Sequence, residues 1–189
     1  HADNYGNPQL GKRVAMSALV NVNIAHDGKV IRELPIDDPE QILGHFTVSK
    51  DGHVLALSGP SPELKNGKGN LYYSPDGIAP LRALKWEENV RKKISGEMLS
   101  VALNNDHTLA AVTNPMGRLL VLVDMKQGKV LKTLQQECRG IAFDPVLDKF
   151  VGSNQKLFLI DQAFSSITKL PIVEKHGFMG AHSLMVMGA

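Results

Sequence analysis

The chain has 189 residues, of which 43% are hydrophobic and 21% charged, values that are typical of a folded globular protein and exclude a disordered one. Its 21 basic and 19 acidic residues nearly balance, and the longest consecutive basic run covers only residues 91–93, which argues against the broad basic surface of a nucleic-acid-binding protein. No apolar run approaches the roughly 18 residues that cross a bilayer, so no membrane span is predicted.

Short apolar runs separated by turns rich in Asp, Asn and Gly predict β-strands joined by hairpins. The first pair of runs covers residues 17–24 and 30–36, and a similar pair covers residues 119–123 and 130–134. A Gly near the end of each intervening turn supplies the positive φ that a chain reversal needs.

A second kind of turn alternates with the first. It separates residues 46–48 from 54–57, residues 100–103 from 109–112, and, in a degenerate copy, residues 140–143 from 150–152. Corresponding turns recur after roughly 40 to 55 residues, a period that is typical of repeat proteins and overlaps the span of a four-stranded propeller blade.

The sequence therefore predicts an all-β fold, a β-propeller of four-stranded antiparallel blades, of which the chain forms about half a ring. The expected organisation is one partial propeller over residues 1–189, with outer strands of a preceding blade at 1–36, blades at 43–86, 98–134 and 140–172, and a final strand at 182–187. Residues 87–94 are predicted to form a short helix and residues 58–70 an exposed loop. Four aromatic residues are predicted to pack between blades: Tyr72, Tyr73, Trp86 and Phe158.

About three and a half blades cannot close a ring, and an open stack exposes unpaired strand edges. We expect the remainder to come from an N-terminal half that precedes this segment or from a second copy of the chain.

The candidate site is predicted at one face of the propeller, where the loops that enter the innermost strands and the loops between second and third strands gather around the channel. Seven candidate ligand-binding residues map there: His45, Glu97, Asn114, Arg118, Cys138, Arg139 and His182.

Metal binding is one hypothesis for this face, because His45, Glu97, Cys138 and His182 carry donor atoms that suit zinc or iron. The four residues lie far apart in the sequence and form no short ligand pair. The hypothesis therefore rests on His45 and His182, and the alternative is that each histidine is a hydrogen-bonded residue of the channel wall.

Catalysis by Cys138, the single cysteine, is a second hypothesis, with Arg139 stabilising its thiolate. The alternative favoured by the flanking apolar run is a buried, packed cysteine. No Gly-x-Ser-x-Gly motif is present, and no helix follows the glycines at 67–69 as phosphate capture requires, so no catalytic residue is predicted.

Several segments resemble one known family. They are residues 1–6 (His-Ala-Asp-Asn-Tyr-Gly), 43–46 (Leu-Gly-His-Phe), 114–118 (Asn-Pro-Met-Gly-Arg) and 137–142 (Glu-Cys-Arg-Gly-Ile-Ala). In order and spacing they resemble the second half of the bacterial family called domain of unknown function fifteen-thirteen. The chain departs from the family pattern at Gly44 and Met116, where the family has Arg.

The resemblance implies a seven-bladed, WD-repeat-like propeller that is exported to the bacterial periplasm and encoded near iron-uptake and imelysin-type proteins. The expected function is a non-enzymatic periplasmic binding or scaffold module that is linked to iron handling and contacts a protein partner or small ligand at the channel face. The alternative is a metal-dependent or redox enzyme with a channel-mouth site built from His45, Glu97 and His182. The sequence identifies no cofactor.

Overall fold

The computed structural model describes residues 17–24, 27–64, 66–154 and 156–170, which form an almost entirely β structure. The strands in this part of the chain are β1 (Ala18–Asn23), β2 (Lys29–Pro35), β3 (Gln41–Val48), β4 (Val54–Pro60), β5 (Leu71–Ser74), β6 (Arg82–Ala83), β7 (Val101–Leu103), β8 (Leu109–Asn114), β9 (Leu119–Asp124), β10 (Lys129–Gln135), β11 (Gly140–Asp144), β12 (Lys149–Asn154), β13 (Lys156–Ile160) and β14 (Ile167–Lys169). One short helix, α1 (Glu88–Arg91), falls within the segment predicted to be helical.

The strands form one hairpin, β1–β2, and three four-stranded antiparallel sheets: the first blade (β3–β6), the second blade (β7–β10) and the third blade (β11–β14). Within each blade every strand pairs with its neighbour in the sequence. Strand β7 also lies beside both β3 and β11. The first strand of each blade is therefore the innermost one, and the prediction of antiparallel propeller blades is confirmed.

Apolar side chains on both faces of the blades form the core. Leu119, Val121 and Val123 of β9 pack towards the first blade, whereas Leu120 and Leu122 of the same strand pack towards the third. Because neighbouring blades cover both faces, β9 is a continuous apolar run instead of an alternating one. A separate cluster fills the space between the hairpin β1–β2 and the first blade.

Aspartate side chains close the turns that the sequence predicted. Asp124 Oδ1 accepts hydrogen bonds from the backbone N–H groups of Lys126 and Gln127, both at 2.8 Å, and Gly128 completes the turn with a φ of 60°. Asp144 closes the predicted turn before β12 in the same way, and Asp76 closes a further turn between β5 and β6 that was not predicted. The contacts of Asp124 and Asp144 confirm the predicted hairpin reversals, since Asp favours turns by bonding backbone amides two or three residues ahead.

The segment at residues 58–70 departs in part from its prediction as an exposed loop. Its first residues belong to β4, and Gly69 is buried. The backbone of Gly69 lies so close to other backbone that a Cβ atom there would be 2.3 Å from the Ser58 carbonyl oxygen. The segment after Pro60 is a loop between β4 and β5, as predicted, and it is exposed at Pro62, Glu63 and Asn66 but packed at Gly69.

Parts of the predicted organisation lie outside the described residues, namely residues 1–16 of the expected outer strands and the expected final strand at 182–187. Among the described residues, no helix combines the length and apolar character that a membrane span requires.

Candidate functional site at the channel face

A groove of about 580 Å³ lies between the first and second blades, at the ends of the sheets where the chain enters β3 and β7. We call it the channel-face groove. Its lining residues are Ile42, Leu43, Gly44, Gly59, Pro60, Pro62, Gly96, Glu97, Met98 and Met116. They come from the start of β3, the end of β4 and the loop after it, the loop before β7, and the turn between β8 and β9. This is the face at which the sequence predicted a site.

Backbone hydrogen bonds join the two loops that form the rim of the groove. The amide of Met98 donates to the Ser58 carbonyl oxygen at 3.0 Å, and the amide of Gly69 donates to the Gly96 carbonyl oxygen at 2.6 Å. The amide of Gly96 donates in turn to the Gly67 carbonyl oxygen at 3.1 Å. The rim is thus fixed by paired backbone, as a preformed binding surface requires.

Asn114, one of the predicted ligand-binding residues, is fully buried and serves the framework of this rim. Its Nδ2 donates to the carbonyl oxygens of Ser95 and Glu97 at 2.8 and 2.7 Å, and its Oδ1 accepts from the Ser95 amide at 3.1 Å. These three bonds occupy the amide group. The structure therefore places Asn114 behind the groove lining, where its amide group holds the loop backbone.

Glu97, Met116 and Pro62 are exposed side chains of the groove. Met116 is 71% exposed, and Glu97 carries the one ionisable group among the lining residues. The rest of the lining is apolar or glycine. Such a surface suits an apolar group that carries a positive charge or a hydrogen-bond donor.

His45 lies on β3 next to the groove and is half-buried. It pairs across the sheet with Leu57, and directly opposed residues of an antiparallel pair project from the same face. Leu57 packs in the core between the first and second blades. The His45 side chain therefore points towards the second blade.

Cys138 is fully buried among the apolar residues between the second and third blades. Its Sγ donates to the Gly140 carbonyl oxygen at 3.1 Å. Burial raises the pKa of the Cys138 thiol to about 12, so the group is a neutral thiol at physiological pH. Burial and the raised pKa therefore favour the packed alternative for this residue.

The two predicted arginines are exposed and lie away from the groove lining. Arg118 has a φ of 54° in the β8–β9 turn, and its Nε lies 3.9 Å from Glu137 Oε2 in a weak surface ion pair. The backbone of Arg139 donates to the Ser153 carbonyl oxygen and accepts from Thr113 Oγ1. Both residues are exposed at the same end of the sheets as the groove.

The metal hypothesis lacks a complete ligand set within the described residues, which contain no group of three His, Cys, Asp or Glu side chains able to hold an ion. Cys138 is buried in the core, and His182 lies outside the described part of the chain. The described residues therefore do not fit a metal centre by themselves.

Gly44 and Met116, for which the family resemblance implies a departure from the family pattern, both line the channel-face groove. Sequence reasoning did not name Met116, Pro60 or Pro62 as site residues. The signal that points to Met116 is its long apolar side chain in a turn. The side chain is exposed, so packing in the core does not explain why an apolar residue is there.

A family described as "Protein of unknown function (DUF1513)" matches residues 2–166. This chain belongs to the DUF1513 family. No curated protein matches the chain significantly.

Solved structures similar to this DUF1513 chain include β-propellers. The Dos1 propeller has 11% identity and a TM-score of 0.58, and the match covers 85% of this chain and 44% of that one. Hydrazine synthase of Kuenenia stuttgartiensis has 10% identity and a TM-score of 0.52, with coverage of 83% and 52%. The calcium-binding protein regucalcin of Agrobacterium tumefaciens has 12% identity and a TM-score of 0.50, with coverage of 75% and 50%. These likenesses concern the fold, and the chain spans about half the length of the structures.

Proposed function

We propose that this chain is part of a non-enzymatic binding or scaffold module whose partner contacts the channel-face groove. The observation that carries the proposal is the composition of that groove: a rim fixed by backbone bonds, an apolar lining and one carboxylate, Glu97. Rigid apolar clefts with few polar groups are the usual form of a binding site. General acid–base or nucleophilic catalysis needs further titratable groups in contact with one another.

The groove suits a protein partner that inserts an apolar side chain next to a basic one. Met116 is a flexible, polarizable contact surface, and methionine adapts to partners of varied shape. Glu97 then supplies the counter-charge. By the family resemblance, the family pattern has Arg at positions 44 and 116, whereas both positions are uncharged in this chain. We therefore expect the charge of its partner to differ from the charge of a partner that contacts those arginines.

Site-specific photo-cross-linking tests this proposal. p-Benzoylphenylalanine is placed at Met116 in the groove or, as a control, at Val146 in the β11–β12 turn at the opposite end of the sheets. The two native side chains are similarly exposed, at 71% and 76%. We expect one defined product from position 116, weakened by Glu97→Lys, and no such product from position 146. Equal products from both positions, or none from either, would contradict the proposal.

We also propose a compartment and a biological role for this module. The family resemblance supports a periplasmic location and a link to iron handling, in which the chain acts through a partner. Fractionation of bacteria expressing the natural gene tests the compartment. Iron, copper and zinc analysis of the purified protein tests the enzyme alternative, since stoichiometric metal that is lost on both His45→Ala and His182→Ala would favour a metalloenzyme.

We further propose that additional propeller strands cover the face next to the hairpin β1–β2. Phe46 and Val48 of β3 oppose Ala56 and Val54, which pack towards this hairpin, yet Phe46 and Val48 are 55% and 46% exposed. A four-stranded neighbour would bury them, and the hairpin provides two strands. Light scattering separates the two sources of these strands, because a second copy requires a stable dimer whereas an N-terminal half leaves the isolated chain monomeric.

A further inference from the structure

The outer part of the same two blades encloses a larger groove that the proposed function does not use. It has a volume of about 940 Å³ and lies between β6 and β10, on the side away from the innermost strands. We call it the outer groove and define it by Tyr73, Arg82, Leu84, Lys85, Trp86, Val90, Lys129 and Val130, which are among its lining residues. Strand β6 has two residues whereas β10 has seven, so the outer edges of the blades do not meet there.

Two aromatic side chains form the floor of the outer groove, and both are held in place. The Tyr73 hydroxyl donates to the Met125 carbonyl oxygen at 2.7 Å, which ties the first blade to the second. Gly128 packs against the Tyr73 ring, since a Cβ atom at that position would lie 2.2 Å from Cδ1. The Trp86 indole N–H donates to Asn70 Oδ1 at 2.7 Å. The polar atoms of both residues are thus satisfied, which leaves apolar ring surface for a ligand.

The rim of the outer groove is basic. Its lining includes four basic residues, Arg82, Lys85, Lys129 and Lys132, and one acidic residue, Glu87. Lys132 Nζ donates to the Ala163 carbonyl oxygen of the third blade, so that group points elsewhere. Arg82, Lys85 and Lys129 are exposed, and none of them forms a salt bridge with another described residue. The groove therefore complements a ligand that is acidic and partly apolar.

The outer edge of β10 borders this groove. Strand β10 is the last strand of the second blade, and no described strand pairs with its outer edge. An extended peptide can add to such an edge through main-chain hydrogen bonds, and its side chains then alternate between two directions. Alternation brings apolar side chains onto the Tyr73–Trp86 floor and sends carboxylates to the opposite face of the second blade, on which the register places Lys129.

From these observations we infer that the outer groove binds an extended acidic peptide segment of a partner protein, along the edge of β10. The inference is independent of the channel-face proposal, because it concerns other residues at the outer part of the blades. The partner segment alternates acidic and apolar residues over about the length of β10, seven residues.

Trp86 is the one tryptophan of the chain, so its fluorescence reports directly on the outer groove. The probe is an acetylated peptide of sequence Asp-Leu-Asp-Phe-Asp-Leu-Asp, and the matched control peptide has Lys in place of Asp. We expect a saturable change in Trp86 emission with the acidic peptide only, and weaker binding as salt is raised. No change with the acidic peptide, or equal binding of both peptides, would overturn the proposal.

Reversing the charge of lysines at the rim tests whether the peptide binds in the outer groove. The variant Lys85→Glu with Lys129→Glu is expected to weaken peptide binding about tenfold or more at low salt, because rim cations become repulsive. The control variant Lys50→Glu with Lys169→Glu reverses two exposed lysines outside the groove and is expected to bind as the unmodified chain does. Equal affinities of the two double variants would contradict the assignment. Circular dichroism confirms that both variants remain folded.

Two further probes test the mode of binding. The acidic peptide with N-methyl groups on alternate residues lacks the N–H donors that pair with β10, and we expect its binding to be lost. Undiminished binding of that peptide would exclude edge pairing. A Trp86 response to sodium decanoate without a response to the acidic peptide would overturn the peptide proposal in favour of a small-molecule groove.

Discussion

The side chain of Asn114 holds the backbone of Glu97: its Nδ2 donates to the Glu97 carbonyl oxygen at 2.7 Å. The two residues were both expected to contact a ligand from the sequence. In the structure one is buried and supports the loop from which the other projects. The channel-face groove thus depends on a residue that does not line it.

This relationship predicts a stability defect in Asn114→Ala. The change removes the partner of three part-buried backbone groups of Ser95 and Glu97, and a fully buried group left unsatisfied costs about 1–3 kcal/mol. We therefore expect the free energy of unfolding in urea to fall by at least about 2 kcal/mol. Asn105→Ala, at an exposed turn position, is the control and should stay within about 0.5 kcal/mol of the unmodified chain. Similar values for the two variants would show that Asn114 does not hold the loop.

A second prediction concerns the reactivity of Cys138. A thiolate is the reactive species, and the buried thiol is neutral in the folded chain. We expect a thiol reagent such as 5,5′-dithiobis(2-nitrobenzoate) at pH 8 to modify Cys138 of the native chain very slowly. In denaturant, we expect the same reagent to modify one thiol per chain at once. Rapid modification of the native chain would reopen the nucleophile hypothesis for this residue.

The same thiol predicts a dependence of stability on pH. Burial raises the pKa of Cys138 from 9.0 to about 12, so between these values the unfolded chain binds fewer protons than the folded chain. The contribution of this group is therefore complete below pH 9 and is lost as the pH rises towards 12. The unfolding free energies of the unmodified chain and Cys138→Ala should differ by a constant below pH 9, and the difference should then shift in favour of the variant. A constant difference up to pH 11 would contradict the burial of the thiol.

Alanine substitutions at three glycines distinguish the cost of a strained backbone from the cost of a steric contact. Gly44→Ala meets no atom within 4 Å and should change the free energy of unfolding by less than about 0.5 kcal/mol. Gly28→Ala also meets open space but has a φ of 69°, which costs about 1 kcal/mol. Gly128→Ala combines a φ of 60° with a contact on the Tyr73 ring and should cost more than either. If Gly128→Ala is as mild as Gly28→Ala, the Tyr73 ring is not held as the outer groove requires.

The sequence was sufficient to predict the blades because strand and turn signals are local. The apolar runs at β9 and β10 and the Asp-to-Gly turn between them are both visible in the sequence, and the fold follows from their repetition. The predicted face of the propeller is likewise the face that holds the channel-face groove, because strand order alone decides which loops gather there.

The roles of individual site residues were not predictable in the same way. Sequence shows that Asn114 and Cys138 have donor and acceptor groups, but not that neighbouring loops already occupy them. That information resides in contacts between residues distant in the chain, such as Asn114 with Ser95. The outer groove was missed because Trp86 was expected in a strand between blades, whereas β6 ends at Ala83 and Trp86 lies beyond it at the groove.

The most direct test of the account is hydrogen–deuterium exchange of the chain with and without the partner that is cross-linked at position 116. We predict that the partner slows exchange at residues 42–44 and 95–98, on the two sides of the channel-face groove, and leaves the turn at residues 144–148 unchanged. Protection at residues 144–148 without protection at 42–44 and 95–98 would contradict the assignment of this groove as the binding site.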